Sequence, residues 1–259
     1  MLCTWEGLSY CIFDTQLNVY VALKHIPYPS PIKDYSDLNK AIDKVIKAEL
    51  ILQLPYKKVR CIYPTQCCTL IPQEWAQPEQ FKSQLEINHS LNDLDEIHSF
   101  PVKEIDANCV FAVPGPLSAK LCEKMGQVTY IHQSIPLIHN VTQWQMEHSG
   151  IFFAVNIHSQ FIDIALCTQE TIKLYNTFSA NSAQDLVYFL MLIAQEYKLE
   201  RQQINVVVSG RIDDYTEELQ NFFGCLCRVK ISNTYYSLEL QVDIHPYFDL
   251  LLSLEQCVS

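Results

Sequence analysis

The sequence predicts a layered α/β protein built as two related halves. Three observations carry that prediction. Strand-like runs at Ile151–Ile157 and Phe161–Cys167 are followed by a third at Thr171–Tyr175. A broad apolar helix and a buried strand, Ile204–Val208, come after them, which makes a strand–helix–strand layer. The first half opens in the same loose pattern, with a two-strand hairpin and then a helix, so the hairpins Leu8–His25 and Ile151–Cys167 are expected to be equivalent. The halves are expected to divide as residues 1–148 and 149–259, with an inserted or irregular region near 72–106.

Leu8–Asp14 and Asn18–His25 read as strands joined by a tight turn through Thr15, Gln16 and Leu17. Pro27, Pro29 and Pro31 hold an extended linker, because each ring fixes its own φ and keeps its predecessor out of helix. Asp34–Gln53 reads as a helix: Leu38, Ile42, Val45 and Ile46 recur at helical spacing, opposite Lys40, Asp43, Lys44 and Lys47. Val59–Tyr63 and Cys67–Ile71 are expected to pair through a turn at residues 63–66. Pro78–Leu85 is a short helix candidate, and the acidic stretch from Asn88 to Asp106 reads as loop or edge strand. Asn108–Val113, Pro116–Met125 and Gln127–His132 read as strand, helix and strand, and Ser134–Glu147 as a segment crossing between halves.

In the second half, Asn181 with Gln184 three residues on is the expected helix start. Leu186, Phe189, Leu190, Ile193 and Tyr197 form its apolar face, widened by Val187 and Met191. Asp214–Phe223 reads as helix, Cys225–Ile231 as strand and His245–Leu254 as a terminal helix.

Composition excludes more than it assigns. A net charge of −11 disfavours nucleic acid and anionic membranes, since phosphate contacts need clustered Lys and Arg. The longest apolar block, Leu186–Ala194, is too short to span a bilayer, so direct membrane insertion is not expected. Eleven cysteines cannot all pair, and no basic leader precedes an apolar run, so free thiols in a cytoplasmic protein are the expectation. Cys225 and Cys227 share a strand face, yet no second pair stands at zinc spacing, and core packing is the simpler role. Six well-separated glycines leave no room for a phosphate-binding loop, a dinucleotide fingerprint or a nucleophile elbow.

The run NIHSQFIDIALCTQETIKLYNTFSANSAQDLVYFL, followed by INVVVSG, resembles the second half of an actin-like ATPase domain. More closely, it is similar to an uncharacterised bacterial family of unknown function whose wider kin include actin-like pilus-assembly and secretion proteins. The resemblance implies an actin-like ATPase fold: an α/β chain of two ribonuclease-H-like halves with a nucleotide cleft between them. In active members each half's hairpin carries an Asp and, two residues later, a Gly, which hold a Mg²⁺-bound water and admit the phosphates. Here the first hairpin has Asp14-Thr15-Gln16 and the second Asn156-Ile157-His158, while Ser209-Gly210 stands at the adenosine-side turn. Asp14, Thr15, Asn156, His158, Ser209 and Gly210 therefore outline a vestigial nucleotide site. No catalytic residue and no metal ligand is nominated, and no cofactor is expected. The reading is a non-catalytic scaffold that binds a protein or peptide, with a homodimer as the plainer arrangement. The alternative is a divergent nucleotide-binding ATPase or kinase-like enzyme using ATP and Mg²⁺ in the cleft. Cys67–Ile71 is the expected exposed edge strand for a partner.

Overall fold

The computed structural model describes residues 1–148, 150–168, 171–211, 215–223, 225–228 and 248–257. The chain divides into two compact units, one formed by Met1–Ile135 and the other starting at Pro136. The boundary thus lies earlier than the expected 148/149. The segment expected to cross between halves is a helix bonded inside the second unit, through Asn140 Nδ2 to Ser253 Oγ at 2.9 Å.

The first unit runs β1 (Leu2–Cys3), β2 (Gly7–Asp14), β3 (Val19–Pro27), α1 (Tyr35–Ala48), β4 (Val59–Ile62) and β5 (Cys68–Pro72). It continues with α2 (Phe81–Glu86), β6 (Asp95–Val102), β7 (Ala107–Pro114), α3 (Gly115–Met125) and β8 (Val128–Ile131). Five strands form one sheet in the order β3-β2-β1-β4-β8, antiparallel across β3, β2 and β1 and parallel from β1 onward. Asp34 caps α1 by accepting the Asp37 N–H at 2.8 Å, and Leu38, Ala41, Ile42, Val45 and Ile46 form its buried face. The helix ends at Ala48, short of the expected Gln53; a 3₁₀ turn follows, and Leu50 and Leu54 stay exposed.

β4 and β5 do not pair. The parallel neighbours β1 and β8 occupy both sides of β4. The chain beyond β4 is held at Thr65, whose carbonyl accepts from His132 Nε2 at 3.0 Å and Gln133 Nε2 at 2.8 Å. β5 instead enters a separate three-stranded sheet, β5-β7-β6, with β7 at its centre. Ile71, Val110 and Ala112 on one face of that sheet pack with Phe81 and Leu85 of α2. The acidic stretch read as loop or edge strand supplies β6, an edge.

The second unit contains α4 (Ser134–Glu147) from Pro136 onward, its first two residues belonging to the first unit, and β9 (Ile151–Ile157), β10 (Phe161–Thr168), β11 (Thr171–Ser179) and α5 (Ala183–Glu196). β12 (Ile204–Gly210), α6 (Thr216–Phe222), β13 (Cys225–Arg228) and α7 (Phe248–Cys257) follow. The expected helix starts at 214 and 245 and the strand end at 231 lie outside the described residues. Its sheet order is β11-β10-β9-β12-β13, with antiparallel pairs on one side of β9 and parallel pairs on the other. β9 and β12 are apolar along almost their whole length because both sheet faces are covered. Leu186, Leu190 and Ile193 of α5 pack with Phe153, Val155, Val206 and Val208. The cap of α5 is Ser182, one residue past the expected Asn181. Ser182 Oγ accepts the Asp185 N–H at 3.2 Å, while Asp185 Oδ2 accepts the N–H groups of Ser182 at 3.1 Å and Asn181 at 2.9 Å. Phe189 is half-buried against Phe178, and Tyr197 lies past the helix end, 39% exposed rather than on the buried face.

The two five-stranded sheets repeat one topology, but with a shift from the expected equivalence. β1, β2, β3, β4 and β8 match β9, β10, β11, β12 and β13 in order and direction. β2 and β10 are both eight residues long, and each has a bulge two residues before its end, at Ile12/Phe13 and Leu166/Cys167. Hence the Leu8–His25 hairpin matches β10–β11, not the Ile151–Cys167 hairpin. β1, only two residues long, is too short to show a period in sequence.

Candidate functional site

The shift moves two of the candidate residues. Asp14 and Thr15 lie at the β2–β3 turn, at the opposite end of β2 from the β1–β2 turn that matches the Asn156–His158 turn. The carboxylate of Asp14 serves its own turn: Oδ1 accepts the N–H groups of Gln16 at 2.8 Å and Leu17 at 3.0 Å. Those two bonds, Leu17 first, hold its pKa below the ordinary aspartate value. Asn18, at φ 56°, closes the turn.

The β1–β2 turn spans Thr4 to Gly7. Thr4 Oγ1 accepts the N–H groups of Glu6 and Gly7, each at 3.2 Å, and donates to Gly7 O at 3.0 Å. A Cβ at Gly7 would lie 2.6 Å from Ile26 O, so glycine here admits the close approach of β3. Two turn amides that would face an anion in an open hairpin are thus bound by the chain's own hydroxyl.

In the second unit the structure does bring Asn156, His158, Ser209 and Gly210 together. The parallel register sets Ser209 beside Asn156 and Gly210 beside Ile157. Ser209 Oγ donates to Asn156 Oδ1 at 2.9 Å. Asn156 Nδ2 lies 2.7 Å from His158 Nε2, and His158 Nε2 lies 2.8 Å from Asp163 Oδ2. Asp163, opposite Asn156 on β10, also takes the Asn156 amide at 3.2 Å and the Tyr175 hydroxyl at 2.9 Å. His158 stacks on Phe161 with ring centroids 4.3 Å apart, and its N–H bonds Phe161 O at 3.0 Å. Gly210 has φ 78°, and a Cβ there would sit 2.3 Å from Ile157 O. Its bare Cα therefore accommodates the close approach of β9.

Asp163 is the member that sequence reasoning missed. It is 0% exposed, inside the apolar run FIDIALC. A lone carboxylate on a strand buried on both faces is costly unless it is hydrogen-bonded, and that cost was the available signal. Chemically, the His158–Asp163 contact fixes an imidazole in one orientation. The polar groups of the cluster are spent on one another. Among the described residues, no group of three or more His, Cys, Asp or Glu side chains is placed to hold a metal ion. No helix there is long and apolar enough to cross a membrane.

Comparison with solved structures places this architecture. A protein of unknown function with an actin-like ATPase fold from Bacteroides thetaiotaomicron is similar over 97% of this chain and 93% of its own, at 17% identity and a TM-score of 0.81. The PilM–PilN type IV pilus biogenesis complex is similar over 98% and 96%, at 12% identity and a TM-score of 0.66. The ethanolamine utilization protein EutJ from Carboxydothermus hydrogenoformans follows, over 99% and 88%, at 11% identity and a TM-score of 0.51. A search of curated proteins finds no match. The chain has the actin-like ATPase fold, with two ribonuclease-H-like halves. The model of a family described as protein of unknown function (DUF3822) matches residues 2–223, and the chain belongs to that family.

Proposed function

We propose that this chain is a non-catalytic actin-like scaffold, working in the cytoplasm, that holds a protein or peptide partner. One observation carries the reading: the two matching turns, Thr4–Gly7 and Asn156–Phe161, spend their polar groups on their own chain. An ATP site of this fold needs amides and carboxylates presented to phosphate and Mg²⁺. The similarity to a pilus biogenesis complex, itself a two-protein assembly, favours a protein partner.

The three-stranded sheet offers the place for one. On β5, the edge strand read from sequence, the Cys68 carbonyl lies 2.9 Å from His89 Nε2, and the strand ends at Pro72. β6 is the longer edge. The Ala112 N–H bonds Cys67 O, so alternate residues of β7 serve β5, and the register leaves Ile97 and Ser99 pointing their backbone groups away from β7. An extended peptide adding to β6 would use those groups.

Ser99→Pro removes an outward N–H while sparing the β6–β7 ladder. Captured partners should be lost from this variant at an unchanged melting temperature. Identical capture by both proteins would eliminate the β6 edge as the docking site. The alternative, a divergent ATPase or kinase-like enzyme, draws on the His158–Asp163 contact, an imidazole oriented as a general base would be. A melting temperature raised by Mg-ATP would favour it.

A further inference from the structure

The first unit carries a second polar cluster, beneath the β5–β7 pair. Cys109 on β7 is fully buried, and its Sγ lies 3.4 Å from Ser134 Oγ. Ser134 Oγ is 2.8 Å from His132 Nδ1, and His132 Nε2 is 3.0 Å from Thr65 O. Two backbone groups decide where the protons sit. The Ser134 N–H, 3.2 Å from Nδ1, can only donate, so Nδ1 is the bare nitrogen. The Thr65 carbonyl can only accept, so Nε2 carries the hydrogen. The Ser134 hydroxyl then donates to Nδ1, and its oxygen accepts the Cys109 S–H. The result is a directed relay from thiol to hydroxyl to imidazole.

A second thiol faces it. Cys68 stands opposite Phe111 and Leu70 opposite Cys109, so Cys68 and Cys109 are diagonal neighbours on one sheet face. The Cys68 thiol is within hydrogen-bonding reach of Cys109. Cys68 is only half-buried, whereas Cys109 is sealed. Burial pushes the Cys109 thiol up, but the bond to Cys68 and the influence of His132 and Ser134 outweigh it and hold it well below the ordinary cysteine value. The neighbouring Cys67 packs toward the α2 side, and burial with Asp95 nearby raises it to about 11, so it stays a thiol at neutral pH.

We propose that Cys68 and Cys109 form a reversible dithiol–disulfide site that reacts with small disulfides such as oxidised glutathione. Cys68 takes the incoming sulfur and Cys109 resolves it. First, the Cys68 thiolate attacks one sulfur of glutathione disulfide; a mixed disulfide forms, and one glutathione thiolate leaves and takes up the proton that Cys68 lost. Cys109 then passes its proton through Ser134 to His132 and attacks Cys68 Sγ. The bond from Cys68 to glutathione breaks, the second glutathione departs as thiolate, and the proton on His132 passes to it through solvent. Two protein thiols are oxidised and one glutathione disulfide is reduced to two thiols. Closing the bond between diagonal partners needs β5 to slide along β7, which an edge strand with one ladder neighbour permits.

The test incubates the full chain with oxidised glutathione at neutral pH, quenches with acid and maps cysteines by non-reducing peptide mass spectrometry. The native chain should show a Cys68–Cys109 bridge without bound glutathione. Cys109→Ala should keep glutathione on Cys68, and Cys68→Ser, at the half-buried position, should show neither adduct nor bridge while keeping its circular dichroism spectrum. Ser134→Ala, which breaks the relay but leaves both thiols, should slow bridge formation about tenfold and move its pH profile upward. Persistent glutathione on Cys68 of the native chain overturns the proposal. So does a bridge between any other pair, or a Ser134→Ala rate and pH profile equal to the native ones.

Discussion

The two turns that open the two sheets reach a closed state by different chemistry. In the β1–β2 turn a single neutral hydroxyl, Thr4, binds two amides at 3.2 Å. In the β9–β10 turn a buried carboxylate, Asp163, gathers Asn156, His158 and Tyr175 around it. At the place on β2 that matches Asp163 stands Ser9, also buried, 2.8 Å from His25 Nδ1. The difference teaches that one topology can satisfy the same turn cheaply in one half and at high stakes in the other. A neutral turn is replaceable, whereas a buried carboxyl shared by three side chains binds its surroundings together.

That contrast predicts unequal costs. Asp163→Ala should lose about 3–5 kcal/mol of stability, because it strips buried Asn156, His158 and Tyr175 of a shared acceptor. Ser9→Ala should lose about 1 kcal/mol, one neutral hydrogen bond. Denaturant melts of both variants decide it, and equal losses would break the contrast. Next in size are the two glycines beside the turns. Gly210→Ala combines a positive φ with a clash against Ile157 O and should cost about 3 kcal/mol; Gly7→Ala lacks the positive φ but meets Ile26 O and the His25 ring on β3 and should cost about 2 kcal/mol. A reversed order would show that β12, not β3, is the strand that yields.

The smallest effect belongs to acid. Asp14 has a depressed pKa, so the stability it contributes is present above the ordinary aspartate pKa and is lost as pH falls through the lower folded value. Asp14→Asn should therefore flatten the acid limb of the stability curve while leaving the neutral plateau close to that of the native chain. If the acid limb stayed unchanged, the turn bonds to Gln16 and Leu17 would carry no weight in solution.

Much of the fold was legible where periodicity ran long enough. α1, α5, β9, β10 and β12 each span several turns or alternations and were placed within a few residues. β1 was not legible, because two residues carry no period, and that single omission shifted the matching of hairpins. The separate β5-β7-β6 sheet was hidden too: a strand's partner is chosen by which edges are already taken, and β4 is flanked by β1 and β8. Asn156, His158, Ser209 and Gly210 were named from the resemblance, and the structure brings them together in one polar cluster. Asp163 was overlooked because its partners converge from β9, the following turn and β11, which adjacency in sequence does not reveal.

Calorimetric titration with Mg-ATP tests the central claim most directly, that both turns are closed to phosphate. Losing several charge-assisted contacts at about 1.5–3 kcal/mol each should leave binding in the millimolar range or weaker. The account predicts no measurable heat at micromolar nucleotide, for the native chain and for Thr4→Ala alike. A low-micromolar Kd that is weakened by Asn156→Ala would contradict it and restore a working nucleotide site in the second half.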